Sequence, residues 1–436
     1  MIMSLEARGE TEPKLPARSD VVIVGGGIIG VSAALFLARK GVSVTLCEKG
    51  RIGGEQSSRN WGWCRTMGRA PAELPLSIES LRIWRNLSRE VGADIGFRQC
   101  GIAYLYGTQR EVEASEAWLE SAQSHQLGAR RLNGAEIDTL LPGSARKWRS
   151  ALFTASDGRA EPALAASSIA AAAASAGASV LTQCAVRGLE TSAGRVSAVI
   201  TERGRIVCQS VVLAGGAWSR LFCGNLGIDF PQLKILGSVM RTAPLQGAPE
   251  TSVGASNFSF RRRLDGGFTI ARRAGNVSEI TPDSFRLFFD FLPSLRTQWR
   301  ELRLRVGRRF LEEWNVPRRW SLDAPSPFEA VRVLDPAPTE ALLSEGHSNL
   351  SAAFPVFKQA RIVERWAGLI DVTPDAVPVI SPVRALPGFF LASGFSGHGF
   401  GLGPGAGRLI ADLVTGDPSI VDPSPFRFER FARAAG

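Results

Sequence analysis

The chain of 436 residues is too long for one ordinary hydrophobic core, and its hydrophobic share of 44% is that of a folded globular protein, so we expect two domains. The net charge is +10, but the basic run at 261–319 lacks regularly spaced aromatic residues, which favours a solvated surface or a small anionic substrate over a nucleic-acid groove. Three histidines, and six cysteines without CxxC spacing, exclude a histidine-rich centre and predict no metal site.

The N-terminal residues 1–17 are polar and lack the sustained apolar core of a secretory signal peptide. We expect them to form a flexible tail. The scattered cysteines fit reduced thiols, and the two observations together predict a cytoplasmic protein.

The next segment has the pattern of a strand, a glycine turn, a helix and a second strand that ends in an acidic residue. Gly25, Gly27 and Gly30 have GxGxxG spacing, which allows a tight turn, approach of a pyrophosphate and close packing of the helix. The carboxylate of Glu48 follows at the spacing of a ribose contact and disfavours a 2′-phosphate. The pattern predicts an adenine dinucleotide bound at the helix N-terminus. The apolar stretch 21–38 also has the length of a short membrane span, but the glycines argue against that alternative.

Apolar periodicity then predicts alternating helices and strands. We expect a helix within 71–92, a strand within 97–108 and a helix within 111–128. The small residues of 161–177 predict another helix, and short strands follow within 179–218.

The second half of the chain has a different character. Strand-like segments at 234–245, 266–273 and 302–314 surround an amphipathic stretch at 284–299, which predicts a largely antiparallel second domain. The last hundred residues return to the strand and helix pattern of the first half, so the nucleotide-binding domain is expected to consist of separated segments.

Seven glycines lie between 394 and 407, after an apolar strand and before a helix that carries LIADL. A flexible linker is the alternative, but a linker is not expected between a buried strand and a helix. We interpret this segment as a loop at the edge of a cofactor, with many accessible backbone amides.

Five segments in this order resemble the FAD-dependent D-amino acid oxidase superfamily, particularly its glycine oxidase and sarcosine oxidase branch. They are the glycine motif with Glu48, SSRNWGW at 57–63, AGGAWS at 214–219, RWAGLIDVTPD at 365–375 and SGHGFGLGPGAGRLIADL at 396–413. The resemblance covers nearly the whole chain and implies FAD as cofactor.

The fold class that this resemblance implies is α/β and α+β, with a discontinuous Rossmann-like FAD-binding domain and a mostly antiparallel β-sheet substrate domain. We assign 18–95, 150–232 and 333–430 to the FAD-binding domain. The segments 96–149 and 233–332 form the substrate-binding domain.

The resemblance also implies which residues bind FAD, including the pyrophosphate turn, the loop after the second strand, a backbone contact to adenine and the C-terminal glycines. The implied residues are Gly25, Gly27, Ile28, Ile29, Gly30, Glu48, Lys49, Ser57, Ser58, Asn60, Trp61, Val186, Ala214, Gly215, Trp218, Gly368, Gly397, His398, Gly399, Gly401 and Leu402.

Several positions depart from the family pattern. Monomeric sarcosine oxidases bond flavin through a cysteine where this chain has Gly368, so we expect non-covalent FAD. Dimethylglycine dehydrogenase relatives use a histidine near the position of Asn60. The lysine of sarcosine oxidases and the arginine of glycine oxidases that hold the substrate carboxylate are replaced by Gly401 and Ile370.

Another cation must therefore hold an anionic substrate. Arg65 is the first candidate, because it follows the flavin loop and a guanidinium pairs with a carboxylate in a bidentate manner; a structural arginine is the alternative. Arg241, Arg272 and Arg273 come from predicted strands, where alternation places only one of the last two inward. His398 is a candidate for a hydrogen bond to flavin or substrate.

The family implies hydride transfer from the carbon beside an amine nitrogen to flavin N5, followed by hydrolysis of the imine. The expected substrate is a small amine or amino acid, such as iminodiacetate or another N-substituted glycine, a cyclic imino acid or a polyamine derivative. We expect O2 as acceptor, although Thr269 replaces the family's oxygen-activating lysine.

Several alternatives stay open. They are an amine dehydrogenase with another acceptor, a flavoenzyme that modifies carboxymethylaminomethyl groups of tRNA, and a non-catalytic flavin subunit of a complex. A plain NAD-dependent dehydrogenase would not account for the C-terminal glycines.

Overall fold

The computed structural model describes residues 14–273, 276–298 and 302–431. Residues 1–13 of the expected N-terminal tail lie outside the described residues. Within the described ranges, no helix combines the length and the apolar character needed to cross a membrane.

The helices of the described residues are α1 (Ile28–Arg39), α2 (Gln56–Arg59), α3 (Leu74–Val91), α4 (Gln109–Ala114), α5 (Glu116–Ser124), α6 (Gly134–Leu140), α7 (Pro162–Ser175), α8 (Ser219–Asn225), α9 (Pro282–Arg286), α10 (Phe288–Gln298), α11 (Arg308–Trp314), α12 (Pro327–Ala330), α13 (Glu340–Ala353) and α14 (Gly399–Thr415). The strands are β1 (Val21–Val24), β2 (Val44–Cys47), β3 (Trp63–Cys64), β4 (Ile102–Tyr106), β5 (Ala129–Leu132), β6 (Ser150–Thr154), β7 (Gly158–Arg159), β8 (Ser179–Leu181), β9 (Val186–Ser192), β10 (Arg195–Thr201), β11 (Gly204–Val207), β12 (Ser210–Leu213), β13 (Leu233–Thr242), β14 (Ser252–Gly254), β15 (Ser259–Arg262), β16 (Phe268–Ala271), β17 (Asn276–Glu279), β18 (Leu302–Arg305), β19 (Ile362–Val372), β20 (Val379–Pro382) and β21 (Phe389–Ser393).

The first sheet has the strand order β20-β21-β12-β1-β2-β8. The strand β1 lies parallel to both β12 and β2, while β20 at the edge is antiparallel to β21. Buried apolar runs form β1 and β2, as expected for central strands covered on both faces. Helix α1 packs against this sheet and lies between α7 and α14, so the first and last parts of the chain share one core.

The second sheet has the order β18-β17-β13-β16-β15-β14-β4-β6-β5, and β19 pairs along β13. Its pairs are antiparallel except for β4 with β14 and β17 with β18. Leu343 and Leu350 of α13 belong to the core that this sheet forms with Phe260 and Phe268. The predicted fold class, a Rossmann-like sheet with a mostly antiparallel second sheet, is confirmed.

Two segments of the chain differ from the domain boundaries expected from sequence. Strand β6, Ser150–Thr154, pairs with β4 and β5 in the second sheet. Strand β19, Ile362–Val372, pairs with β13 over its whole length. Both had been assigned to the FAD-binding segments, because strand pairing between distant parts of a chain leaves no local pattern.

Two predictions of local structure were wrong. The glycine-rich segment 394–407 is a loop only as far as His398, because α14 begins at Gly399 and contains the later glycines. The strand-like segment 302–314 divides into β18 and the helix α11, Arg308–Trp314. In α14, close contacts with neighbouring helices outweigh the low helix propensity of glycine.

Candidate active site

A cavity of about 530 Å³ lies between the two sheets. It is lined by the turn from β1 to α1, the end of β2, the loop around α2 and the N-terminus of α14. The second sheet contributes residues of β4, β13 and β19. The cavity therefore begins at the predicted dinucleotide turn and ends against the predicted substrate domain.

The turn from β1 to α1 is built for close approach of the backbone. Gly25 has φ of +111°, and a Cβ there would lie 2.5 Å from the carbonyl oxygen of Ala214. Gly27 precedes the first turn of α1, where the amide of Ile28 donates to Ser57 Oγ at 2.8 Å. The helix N-terminus thus faces the cavity without a bulky side chain and suits an anion such as pyrophosphate.

Glu48, directly after β2, binds two backbone amides with its two carboxylate oxygens. Oε2 accepts from Gly26 N and Oε1 from Gly50 N, each at 2.7 Å. Burial raises the pKa of Glu48, while these two hydrogen bonds act in the opposite direction. The carboxylate is therefore held at the wall of the cavity, and its contact with a ribose stays a prediction.

Lys49, Glu55 and Trp218 connect this part of the cavity to the loop around α2. Lys49 Nζ lies 2.9 Å from Glu55 Oε1 and 4.5 Å from the ring centroid of Trp218. The indole Nε1 of Trp218 donates to Glu55 at 3.0 Å. The aromatic ring is therefore fixed by a carboxylate that is itself neutralised.

The loop before α14 is held by Asp371 at the end of β19. Asp371 Oδ2 accepts from Gly394 N at 2.7 Å and from Phe395 N at 3.3 Å, and burial raises its pKa to about 6. His398 follows, with its Nδ1 at 2.9 Å from Glu73 Oε1. Burial, with repulsion from Arg69, lowers the pKa of His398 to about 4. A neutral imidazole thus donates from Nδ1 to Glu73 and leaves Nε2 as an acceptor.

The opposite end of the cavity carries three guanidinium groups, Arg65, Arg69 and Arg273, which we call the cationic end. Arg273 Cζ lies 3.6 Å from the ring centroid of Tyr104, and Arg65 Cζ lies 5.7 Å from the same ring and 5.9 Å from that of Trp63. Across the described part of the chain, no carboxylate forms an ion pair with any of the three. This end can therefore accept an anionic ligand.

Most residues named from the sequence line the cavity. They are Gly25, Gly27, Ile28, Ile29, Glu48, Lys49, Ser57, Asn60, Trp61, Arg65, Val186, Ala214, Gly215, Trp218, Gly397, His398, Gly399 and Gly401.

Six other candidate site residues do not line it, among them Arg241, whose Nε lies 2.6 Å from Glu364 Oε2. Gly30 lies beneath the turn, where a Cβ would collide with the carbonyl oxygen of Gly25, and Ser58 Oγ donates to Glu55 O at 3.3 Å. A Cβ at Gly368 would point at Gln56.

The remaining two are Leu402 and Arg272. Leu402 is buried in the core of the first sheet. Arg272 pairs with Glu345 at 2.9 Å outside the cavity, while its neighbour Arg273 faces inward. Strand alternation at β16 and the residues after it explains why only one of the two is available.

Sequence reasoning missed Arg69 and Tyr104. Tyr104 lies on a strand that had been predicted, and alternation along that strand was the signal that could have placed it inward. Arg69 follows Gly68 in an irregular segment, where no periodicity indicates the direction of a side chain.

The cavity fits FAD. It joins a helix N-terminus that suits a pyrophosphate and the fixed carboxylate of Glu48 to a further space between the sheets, which a bare nucleotide would not need. The absence of any side chain at Gly25 and Gly27 is what allows phosphates to approach the turn.

Comparison with known proteins agrees with this geometry. A family model described as FAD dependent oxidoreductase matches residues 20–413. The chain is similar to the L-amino acid deaminase from Proteus myxofaciens, solved in complex with anthranilate, at 35% identity over 98% of this chain and 96% of that one, with a TM-score of 0.94. The L-amino acid deaminase from Proteus vulgaris is 32% identical over 97% and 99% of the two chains, with a TM-score of 0.92.

A glycine oxidase from Pseudomonas putida is 26% identical over 93% of this chain and 97% of that protein. The resemblance predicted from the sequence motifs is confirmed, and so is FAD as cofactor. The chain therefore belongs to the family of FAD dependent oxidoreductases, and it is an enzyme that oxidises the CH–NH group of an amine or amino acid.

Proposed function

We propose that the enzyme catalyses oxidative deamination of an L-α-amino acid. The observation that carries this proposal is the position of Arg65 and Arg273, two guanidinium groups without carboxylate partners in the described chain, against the ring of Tyr104 at one end of the FAD cavity. A guanidinium binds a carboxylate with two parallel hydrogen bonds and fixes its orientation. The similar Proteus deaminase acts on L-amino acids and was solved with anthranilate, itself a carboxylate.

The chemistry needs a fixed substrate rather than a catalytic dyad. When bound, FAD supplies a two-electron acceptor for the hydride that leaves Cα. The substrate nitrogen becomes an imine after loss of its proton, and water converts the imine to a 2-oxo acid and ammonia. Arg65 and Arg273 hold the carboxylate, and positioning of the Cα–H bond is their contribution to the rate.

Glu73 is the acidic side chain closest in sequence to the cationic end, but its Oε1 accepts from His398. It is therefore engaged and is not assigned the role of a general base. The substrate amine must be neutral when the hydride leaves Cα. The rate of flavin reduction should therefore rise with pH.

A secondary amino acid, as expected from the sequence, is the second candidate. It carries the same carboxylate and would bind to the same two arginines, with its N-substituent directed into the cavity. For the acceptor we keep O2, because the three cations of the cationic end favour formation of an anionic oxygen species. The cytoplasmic location, the non-covalent attachment of FAD and the domain boundaries stay predictions.

The experiment is an anaerobic titration of the holoenzyme with L-amino acids, D-amino acids, N-substituted glycines and cyclic imino acids, monitored by loss of flavin absorbance. Bleaching by L-α-amino acids supports the proposal, whereas bleaching only by secondary amines supports the second candidate. Air is then admitted. Reoxidation within the turnover time supports O2 as acceptor, and slow reoxidation contradicts it.

Arg273→Met and Arg272→Met provide a matched pair of adjacent arginines. Loss of a charged hydrogen bond of about 1.5–3 kcal/mol should raise KM of Arg273→Met by roughly 10- to 150-fold. Arg272 pairs with Glu345 outside the cavity, so Arg272→Met should keep a KM close to that of the parent enzyme. Equal effects of the two substitutions would remove Arg273 from the site.

A further inference from the structure

Arg69 is a buried cation of the cavity whose hydrogen-bond donors are not all satisfied. The residue is only 2% exposed and lines the cavity. Within the described residues its Nε and Nη1 are buried without a hydrogen-bond partner. A buried cation with unsatisfied donors is strongly unfavourable unless a ligand completes it.

The nearby acidic side chains do not provide that partner. Glu73 Oε1 accepts from His398 Nδ1 at 2.9 Å, and its Oε2 lies 3.4 Å from Ala70 N. Asp157 Oδ1 accepts from the amide and the hydroxyl of Thr66 at 2.8 and 2.9 Å, and Oδ2 accepts from Met67 N at 3.0 Å. Both carboxylates are therefore engaged elsewhere.

The electrostatic environment of Arg69 agrees with a missing anion. Burial lowers its pKa to about 9, and the charge of Arg65 acts in the same direction, while Glu73, Tyr104 and Asp157 act against this shift. A neutral acceptor, such as a carbonyl, would complete the hydrogen bonds of Arg69 but would add no negative charge beside it. An anion would satisfy both requirements.

The backbone between Arg65 and Arg69 leaves room for such a group. Gly68 has φ of +66°, and a Cβ there would lie 3.2 Å from Tyr104 Cε2 and 3.3 Å from Arg65 Nη1. Any larger residue would thus crowd the space beside the ring that Arg65 and Arg273 also contact. Three cations at one end exceed what a single α-carboxylate needs.

We propose that Arg69 binds a second anionic group of the substrate, so that the preferred substrate is an amino acid with a carboxylate side chain. The inference rests on the proposed oxidation of an α-amino acid at this same site. In the complex, Arg65 and Arg273 hold the α-carboxylate and Arg69 holds the side-chain carboxylate. An amide of the same shape brings no negative charge to Arg69 and binds more weakly.

The test compares acids with their isosteric amides in anaerobic titrations of holoenzyme, using L-glutamate against L-glutamine and L-aspartate against L-asparagine. One charged hydrogen bond predicts a dissociation constant about 10- to 150-fold lower for the better acid than for its amide. In Arg69→Met this ratio should fall to near one, and Arg69→Lys should restore part of it. FAD content and far-ultraviolet circular dichroism of each variant establish that it is folded.

Three results would overturn the inference. They are an acid-to-amide ratio near one in the parent enzyme, a ratio that Arg69→Met leaves unchanged, and a shift in flavin reduction potential in Arg69→Met without any change in the ratio. The last result would assign Arg69 to the flavin instead.

Failure of the proposed function gives a different result, because no primary L-α-amino acid would then bleach the flavin. In that event, glutarate and its monoamide are titrated against the oxidised holoenzyme and the flavin spectrum is recorded. Tighter binding of glutarate that depends on Arg69 would still support the anion subsite. Equal binding of the two compounds would refute it.

Discussion

Glu48 links the dinucleotide turn to the end of β2 through its hydrogen bonds to Gly26 and Gly50. In Glu48→Gln, one backbone amide would face an NH2 group instead of an oxygen. Loss of one charged hydrogen bond, about 1.5–3 kcal/mol, should weaken FAD binding at least tenfold. Quenching of flavin fluorescence on titration into apoenzyme measures this change.

Glu190→Gln is a suitable control, because Glu190 pairs with Arg205 on the surface, away from the cavity. Its FAD affinity should equal that of the parent protein. An unchanged affinity in Glu48→Gln would mean that the carboxylate neither orders the turn nor contacts the ribose.

His398 makes stability depend on pH. Its folded-state pKa of about 4 lies below the ordinary value near 6.5, first because burial disfavours the charged ring and then because of Arg69. The unfolded chain therefore binds more protons between these two values, so this contribution to stability is complete above about pH 6.5 and is lost as the pH falls towards 4. We expect the Tm at saturating FAD to fall between pH 7.5 and pH 5.

His398→Asn should show a smaller decrease in Tm over this range, because the titrating group is gone. His125→Asn serves as control, since His125 lies at the end of α5 outside the cavity and contacts Ser121 and Ser124. If both variants retain the full decrease, another group causes it.

Single residues were predictable where a regular pattern or a motif fixed their direction. Glu48 followed from its spacing to the glycines, and alternation allowed only one of Arg272 and Arg273 to face inward. Arg69 belongs to an irregular segment, where no periodicity indicates whether a side chain is buried or exposed. Its role could not be read from a local pattern.

At the scale of elements, the glycines of α14 set the distance to α1. A Cβ at Gly407 would collide with Ser32 Cβ and lie 2.7 Å from Ala33 N. Gly407→Ala should therefore lower the free energy of unfolding by about 1–3 kcal/mol through overpacking, in spite of the better helix propensity of alanine. Chemical denaturation of the holoenzyme measures the change.

Gly224→Ala in α8 is the matched control. Among the described residues, no atom apart from its chain neighbours and its own helix backbone lies within 4 Å of a Cβ at Gly224, so this substitution should be neutral or stabilising by up to about 1 kcal/mol. A Gly407→Ala variant more stable than the parent protein would show that α14 and α1 can move apart without a decrease in the free energy of unfolding.

The same glycines explain why α14 was predicted as a loop. Glycine has a low helix propensity, and Pro404 also favours a loop over a helix in this segment. The contacts of Gly403 with Ile28, Gly405 with Ser80 and Gly407 with Ser32 come from distant parts of the chain. Element type was predictable for α1, α3 and α7, where apolar residues or small residues form long regular segments. It was not predictable for α14, where tertiary packing determines that the glycines form a helix.

At the scale of the molecule, the cavity is shared by two sheets whose strands alternate along the chain. Two domains and their mixed composition could be inferred from the sequence. The pairing of β19 with β13 could not, although it places Ile370 beside the cavity together with Gly237. The pairing of β19 with β13, two strands distant in sequence, therefore completes the wall of the cavity.

This arrangement predicts that FAD stabilises both sheets together. The cavity is lined by Gly25 at the end of β1 and also by Gly237 to Val239 of β13 and by Ile370 of β19. Hydrogen exchange of apoenzyme and holoenzyme should therefore show slower exchange with FAD in peptides from β1, β13 and β19. The turn at 193–194, between β9 and β10, should be unaffected.

Thermal unfolding should give the same answer, because a ligand at 100 times its Kd adds about 2.7 kcal/mol to the stability of the state that binds it. If both sheets bind FAD, flavin release and loss of secondary structure should occur in one transition that moves to higher temperature with FAD concentration. Protection limited to β1, with an FAD-independent transition for the second sheet, would mean that the second sheet does not contribute to binding. In that case Arg273, which follows β16 of the second sheet, would not lie against the cofactor and could not position a substrate there.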